Sequence, residues 1–87
     1  MHDSITIPSI ERTEILPFGK LREIFKANSV QWPRMKDTDA LKFELFRLYP
    51  VLKELPFLIA VNKELVHNNT VIHPGDIVAL LPPYAGG

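Results

Sequence analysis

The sequence of 87 residues contains no cysteine. That absence removes disulfide staples, thiolate metal sites and cysteine nucleophiles together. An excess of either charge is also missing, since ten Lys and Arg balance ten Asp and Glu. The electrostatic footprint expected of a nucleic-acid or anionic-membrane binder is therefore absent. No long apolar run occurs, so neither a membrane span nor a secretory signal is expected, and a cytoplasmic location is. The three histidines, His2, His67 and His73, are scattered without a partner at ligand spacing. Each reads as an ordinary surface or turn residue, and no metal site is expected. With no nucleophile–base pair and no phosphate loop in view, the chain is not expected to be an enzyme on its own.

What remains is enough for one small folded domain. Hydrophobic residues make up 46% of the chain, which argues against intrinsic disorder. A chain of this size buries roughly 60–65% of its unfolded surface, so any ligand site is expected to be shallow.

Residues 1–10 have no clear period and are expected to form a loose N-terminal arm, or else an edge strand using Ile5, Ile7 and Ile10. Alternation from Glu11 to Phe18 predicts a strand with Ile15 and Leu16 as candidate core residues, and Pro17 near its end, where a missing N–H is tolerated. Lys20 to Lys26 reads as a short amphipathic helix with Leu21, Ile24 and Phe25 on one face, ended by Asn28 and Ser29. Val30 to Trp32 can return as a strand. Thr38 is a candidate N-cap, with Asp39 in the first turn, for a main helix over about Asp39 to Tyr49. Its apolar spacing runs Leu41, Leu45, Leu48 or Tyr49, and Leu52, and Pro50 must interrupt it, leaving a separate turn through Lys53. Phe57 to Val61 is an apolar run suited to a central strand covered on at least one face. Asn62-Lys63 turns the chain, Glu64 to Val66 and Thr70 to Ile72 are short segments, and His73-Pro74-Gly75-Asp76 is a turn before the last apolar strand, Ile77 to Leu81. The fold class implied is α+β: a mixed sheet packed by one main helix plus a short helix, as in the ubiquitin-like β-grasp. The domain is expected over residues 11–83, with a flexible Gly-Gly tail over residues 84–87.

The tail, Pro82-Pro83-Tyr84-Ala85-Gly86-Gly87, is where the chemistry is expected. A frayed end or a linker remnant would be the bland explanation. But Gly-Gly directly after an apolar strand and a Pro-Pro brace suits a terminus threaded through a narrow channel, because a backbone without Cβ approaches another surface closely. A carboxylate is a poor acyl donor until ATP adenylates it. Attack on that adenylate by a persulfide would then place sulfur on a protein that lacks cysteine.

Phe18-Gly19-Lys20-Leu21-Arg22-Glu23, Val61-Asn62, Leu65-Val66 and the whole of Pro74 to Gly87 resemble the small subunit of molybdopterin synthase, in the MoaD/ThiS sulfur-carrier family. The resemblance covers about residues 12–87, and its C-terminal half is the specific part. The N-terminal arm is longer than that family's pattern, and the chain around Pro50 departs from it. The resemblance implies that Gly87, with Gly86 before it, carries the reacting carboxylate. A ubiquitin-activating-type adenylyltransferase would consume ATP there, a persulfide donor would convert it to a thiocarboxylate, and no cofactor would stay bound. The sulfur would then pass to a cyclic pyranopterin phosphate in the synthase large subunit, with two carriers per large-subunit dimer. Leu81, Pro82, Pro83 and Tyr84 are candidate partner contacts, joined by Phe18. For Phe18 and Leu81 the competing assignment is simple core burial, and for Arg22 it is a solvated helix face. A carrier for thiamine thiazole synthesis, a ubiquitin-like modifier joined through Gly87 to protein lysines, and a β-grasp interaction module with an incidental tail are the competing functions.

Overall fold

A computed structural model describes residues 12–83. Five strands form one sheet: β1 (Arg12–Pro17), β2 (Val30–Pro33), β3 (Leu58–Val61), β4 (Glu64–Val66) and β5 (Ile77–Leu81), in the spatial order β2-β1-β5-β3-β4. β1 and β5 run parallel with Ile15 opposite Val78, while the other pairs are antiparallel. The connections carry helix α1 (Leu21–Phe25) between β1 and β2, and helix α2 (Thr38–Leu48) followed by a 3-10 turn (Pro50–Glu54) between β2 and β3. This is the mixed β-grasp sheet expected. The run from Phe57 to Val61 supplies an interior strand, but the middle of the sheet is β5.

The two-residue alternation of the strands sorts the sheet into two faces. Thr13, Ile15 and Pro17 of β1 and Val78 and Leu80 of β5 are buried on the inner face. There they join Leu41 and Leu45 of α2, Leu21 of α1, Leu52 of the 3-10 turn and Trp32, Ile59, Val61 and Ile72 in one core. Leu16, expected in the core beside Ile15, is only half-buried, because consecutive strand residues point to opposite faces. Tyr49 rather than Leu48 completes the helix seam. Its ring centroid is 4.7 Å from that of Phe25 and 6.5 Å from that of Trp32, whereas Leu48 is 48% exposed.

The helix ends differ from expectation in two places. Asp37, not Thr38, is the N-cap of α2: its backbone is extended and its Oδ1 accepts the Ala40 N–H at 2.9 Å. Thr38 is buried instead, and its hydroxyl accepts the Thr70 N–H at 2.9 Å. Asn69 reaches in from the β4–β5 connection, where its Oδ1 accepts the Asp39 N–H at 2.9 Å. Helix α1 stops at Phe25, before Asn28 and Ser29, because Lys26 adopts a left-handed conformation (φ 57°) and returns its N–H to the Arg22 carbonyl.

The turn between β3 and β4 places Asn62 and Lys63 both at positive φ, 50° and 72°, the pattern of a two-residue hairpin whose twist matches its strands. The Asn62 side chain bolts this turn to the start of β5. Its Oδ1 accepts the Ile77 N–H at 3.0 Å and its Nδ2 donates to Asp76 Oδ1 at 2.9 Å. Asp76 Oδ2 in turn accepts the His73 N–H at 2.8 Å and closes the expected His73–Asp76 turn. The expected N-terminal arm at residues 1–10 and the expected tail at 84–87 fall outside the described residues.

Candidate functional site

The tail leaves from the end of β5, so the surroundings of that end define the site. β5 is flanked on both sides, by β1 and by β3, and its last residues are pinned: the Phe18 N–H donates to the Leu80 carbonyl at 3.0 Å, and Leu58 lies opposite Leu81. A strand hydrogen-bonded on both edges gives the tail a fixed origin. Leu80 points down into the core at 0% exposure, while Leu81 is half-buried on the opposite face.

That opposite face has no helix over it among the described residues. It is apolar nonetheless. Leu16 and Phe18 of the β1 side, Ile77, Ala79 and Leu81 of β5, Leu58 of β3 and Leu65 of β4 share it by register. Leu65 is 51% exposed and Ile77 40%. Phe18, Leu16, Ala79 and Ile77, with Asn62 and Lys63, line a groove of about 320 Å³ in it. Above Phe18 sits the Arg22 guanidinium, 5.4 Å from the ring centroid, with its Nε donating to the Pro17 carbonyl at 3.3 Å. Arg22 is thus tied to the edge of the apolar face, at cation–π distance.

The expected contact residues therefore come together in part. Phe18 and Leu81 are surface residues of the outer face and not core. Pro82 is half-buried against Gly19, and Pro83 is exposed. Tyr84, Gly86 and Gly87 fall outside the described residues. Reading by element missed Leu16, Leu58, Leu65, Ile77 and Ala79. The signal was present in Ile77 to Leu81 and Phe57 to Val61, where every position is apolar, as in a sheet covered on both faces. Among the described residues nothing supplies the second cover.

Among the described residues no three His, Asp or Glu side chains gather as a metal ion would require, and no helix is long and apolar enough to cross a membrane. The groups whose acidity is clearly shifted, Asp37, Glu44, Arg47 and Asp76, are absent from the lining of the outer groove.

Comparison with known proteins agrees with this arrangement. A putative molybdopterin converting factor subunit 1 from Pyrococcus furiosus superposes with a TM-score of 0.74 over 83% of this chain and 97% of that one, at 19% identity. The small archaeal modifier protein 1 of Methanosarcina acetivorans gives 0.72 over 87% and 96%, at 20% identity; at such identities the likeness is one of fold. A chain from the complex of subunits 1 and 2 of the molybdopterin-converting factor of Helicobacter pylori 26695 is 33% identical, with a TM-score of 0.66 over 87% of this chain and 99% of that one. A profile described as the ThiS family matches residues 15–87. From its first core strand through its Gly-Gly end, this chain belongs to the ThiS family, the sulfur-carrier group of MoaD/ThiS type.

Proposed function

We propose that the chain is the sulfur-carrying small subunit of a molybdopterin synthase, and that its reacting group is the Gly87 carboxylate. The observation that carries the reading is the uncovered apolar face of the strand that bears the tail. Ile77, Ala79 and Leu81 alternate with the buried Val78 and Leu80, so the element that launches the tail also presents a surface that water covers poorly. A partner that takes the tail and covers this face satisfies both features. The 33% identity to a chain of the Helicobacter pylori complex of subunits 1 and 2 supports a large-subunit partner.

The chemistry follows from the carboxylate. An adenylyltransferase of the ubiquitin-activating kind joins Gly87 to AMP, and pyrophosphate leaves. The terminal sulfur of a donor persulfide attacks the acyl carbon, and AMP leaves. A donor thiol then cleaves the sulfur–sulfur bond, forming a disulfide on the donor and leaving the thiocarboxylate on Gly87. In the large subunit that sulfur goes to a cyclic pyranopterin phosphate, and water cleaves the acyl–sulfur bond, so that Gly87 returns to a carboxylate. This chain contributes the acyl–sulfur bond, while Phe18, Leu81, Pro82, Pro83 and Tyr84 hold the partner and the glycines fit its channel.

The test is the intact mass after incubation with ATP, a matched activating enzyme and a sulfur donor. Replacement of one oxygen by sulfur, lost on deleting Gly87, supports the carrier chemistry, and sulfur transfer to pyranopterin upon adding the large subunit supports the molybdopterin branch. Sulfur uptake without that transfer would favour thiazole synthesis. Conjugates to protein lysines, with no sulfur gained, would favour a modifier.

A further inference from the structure

The outer groove along β5 has a cation at each end. At the tail end the Arg22 guanidinium stands 5.4 Å from the Phe18 ring centroid. At the other end, where β5 begins, Lys63 lines the groove beside Asn62 and Ile77. The register explains why: Val61, the last residue of β3, lies opposite Val78, so the hairpin turn that follows stands beside the start of β5. Lys63 is the one charged residue in a lining otherwise made of Leu16, Phe18, Ile77, Ala79 and Asn62.

The acids nearest by register are already committed. Glu14, opposite Ile77, accepts from the Ser29 hydroxyl at 2.7 Å. Asp76 accepts from the Asn62 amide and the His73 N–H. Neither lines the groove, and neither Lys63 nor Arg22 forms an ion pair among the described residues.

Lys63 is also costly where it stands. Its φ of 72° lies in the left-handed region, where glycine escapes a strain that any other side chain incurs. Asn62 shares that conformation, but its side chain fastens the turn to Ile77. Lys26 shares it too, but closes α1 and lies outside the groove. Lys63 alone combines the strained backbone with a place in the apolar groove.

We propose that Lys63 is kept in this turn for its charge and selects the partner. The surface that covers the groove is then apolar along its middle and carries carboxylates facing Lys63 and Arg22. Cations at both ends of an apolar strip steer such a surface in, fix its register and reject a basic one. Strain of this kind persists where function uses the side chain. The occupant is thus a folded protein with an acid-rimmed apolar patch, and its identification with the synthase large subunit rests on the carrier reading.

The experiment titrates the matched large subunit into the full chain, as wild type, Lys63→Gln and Lys63→Gly. Each is measured at roughly 0.1 M and roughly 1 M salt, between which the screening length falls from about 10 Å to about 3 Å. Thermal denaturation of each free chain accompanies the titrations. Both variants are expected to bind about fivefold more weakly at the lower salt, the scale of one exposed charge pair, and to match wild type at the higher. Lys63→Gly should meanwhile melt at a higher temperature than wild type, and Lys63→Gln at the same one. Unchanged affinity in both variants at the lower salt would overturn the role of Lys63 and leave the carrier reading standing. A lower melting temperature for Lys63→Gly would also overturn it, since the side chain would then serve the fold. A wild type that fails to bind the large subunit at either salt would strike the reading itself, and the proposal with it.

Discussion

Gly19 and Pro82 are in contact across the root of the tail: a Cβ placed on Gly19 would stand 2.8 Å from Pro82 Cγ, and Gly19 has φ +59°. The turn between β1 and α1 thus needs a residue without a side chain for two reasons, backbone conformation and the proline beside it. Gly19→Ala is expected to cost roughly 1–2 kcal/mol of stability from the left-handed backbone alone. It should also shift Pro82 away from the turn. Urea denaturation reads the first effect. The second should appear as slower sulfur charging of Gly87 at temperatures where the variant is fully folded. Wild-type charging by a folded Gly19→Ala would show that the contact does not position the tail.

Thr13 is 1% exposed on the inner face of β1, and its hydroxyl has no hydrogen-bond partner among the described residues. A buried hydroxyl without a partner loses its hydration for nothing in return. Thr13→Val keeps the β-branched shape and the strand preference while removing the polar atom. It is expected to raise stability by about 1 kcal/mol, read as a higher denaturation midpoint with an unchanged slope. A loss of stability would mean that the hydroxyl is satisfied by water.

How much of this was legible beforehand depended on which periodicity a segment obeyed. β5 was read to the residue, Ile77 to Leu81, because a turn of Pro74-Gly75-Asp76 and the prolines at 82 and 83 punctuate it sharply. The break at Pro50 was equally plain, since a proline beyond the first turn removes a helix hydrogen bond and clashes with the preceding turn. It can nonetheless open a new turn, as it does at Pro50–Glu54. The cap of α2 was misplaced by one residue. Asp37 and Thr38 are both good cap residues, and the choice between them is made by Thr70, which takes the Thr38 hydroxyl from 32 positions away. Leu16 was misassigned because its neighbour Ile15 is also apolar, and alternation cannot tell two apolar faces apart. Long-range contacts, and an apolar sheet face without a cover among the described residues, are both invisible to local pattern.

The outer face makes a separable prediction. Phe18→Ala and Leu65→Ala remove groups that lie on the sheet surface, with Leu65 51% exposed, so each should cost little stability. Each is expected to weaken binding to a large-subunit partner about tenfold, the scale of one good interface contact. Leu80→Ala, one residue from Leu81 but at 0% exposure, should instead cost about 2–5 kcal/mol of stability. Calorimetric titration with the large subunit beside thermal denaturation distinguishes the two classes. Unaltered affinity in both surface variants would remove the outer face from the interface.

Acid sensitivity of the α2 cap can be worked out from Asp37. The Ala40 N–H, then the Asn69 amide, hold its carboxyl below the ordinary value of 3.8. A carboxyl depressed in the folded state stabilises the fold above its unfolded pKa, and that contribution is lost as pH falls through the folded value. Wild type should therefore exceed Asp37→Ala in stability by a constant margin from neutral pH down to about 4, and the margin should narrow as pH falls below 3.8. Asn69→Ala removes the second donor, and the Asp39 N–H partner with it. In that background the margin should be smaller, and its loss should be complete at a higher pH. Denaturation midpoints of wild type, Asp37→Ala, Asn69→Ala and the double variant, measured between pH 7 and pH 2, decide the matter, and a margin that stays constant across the whole range would show that Asp37 does not act through its charge.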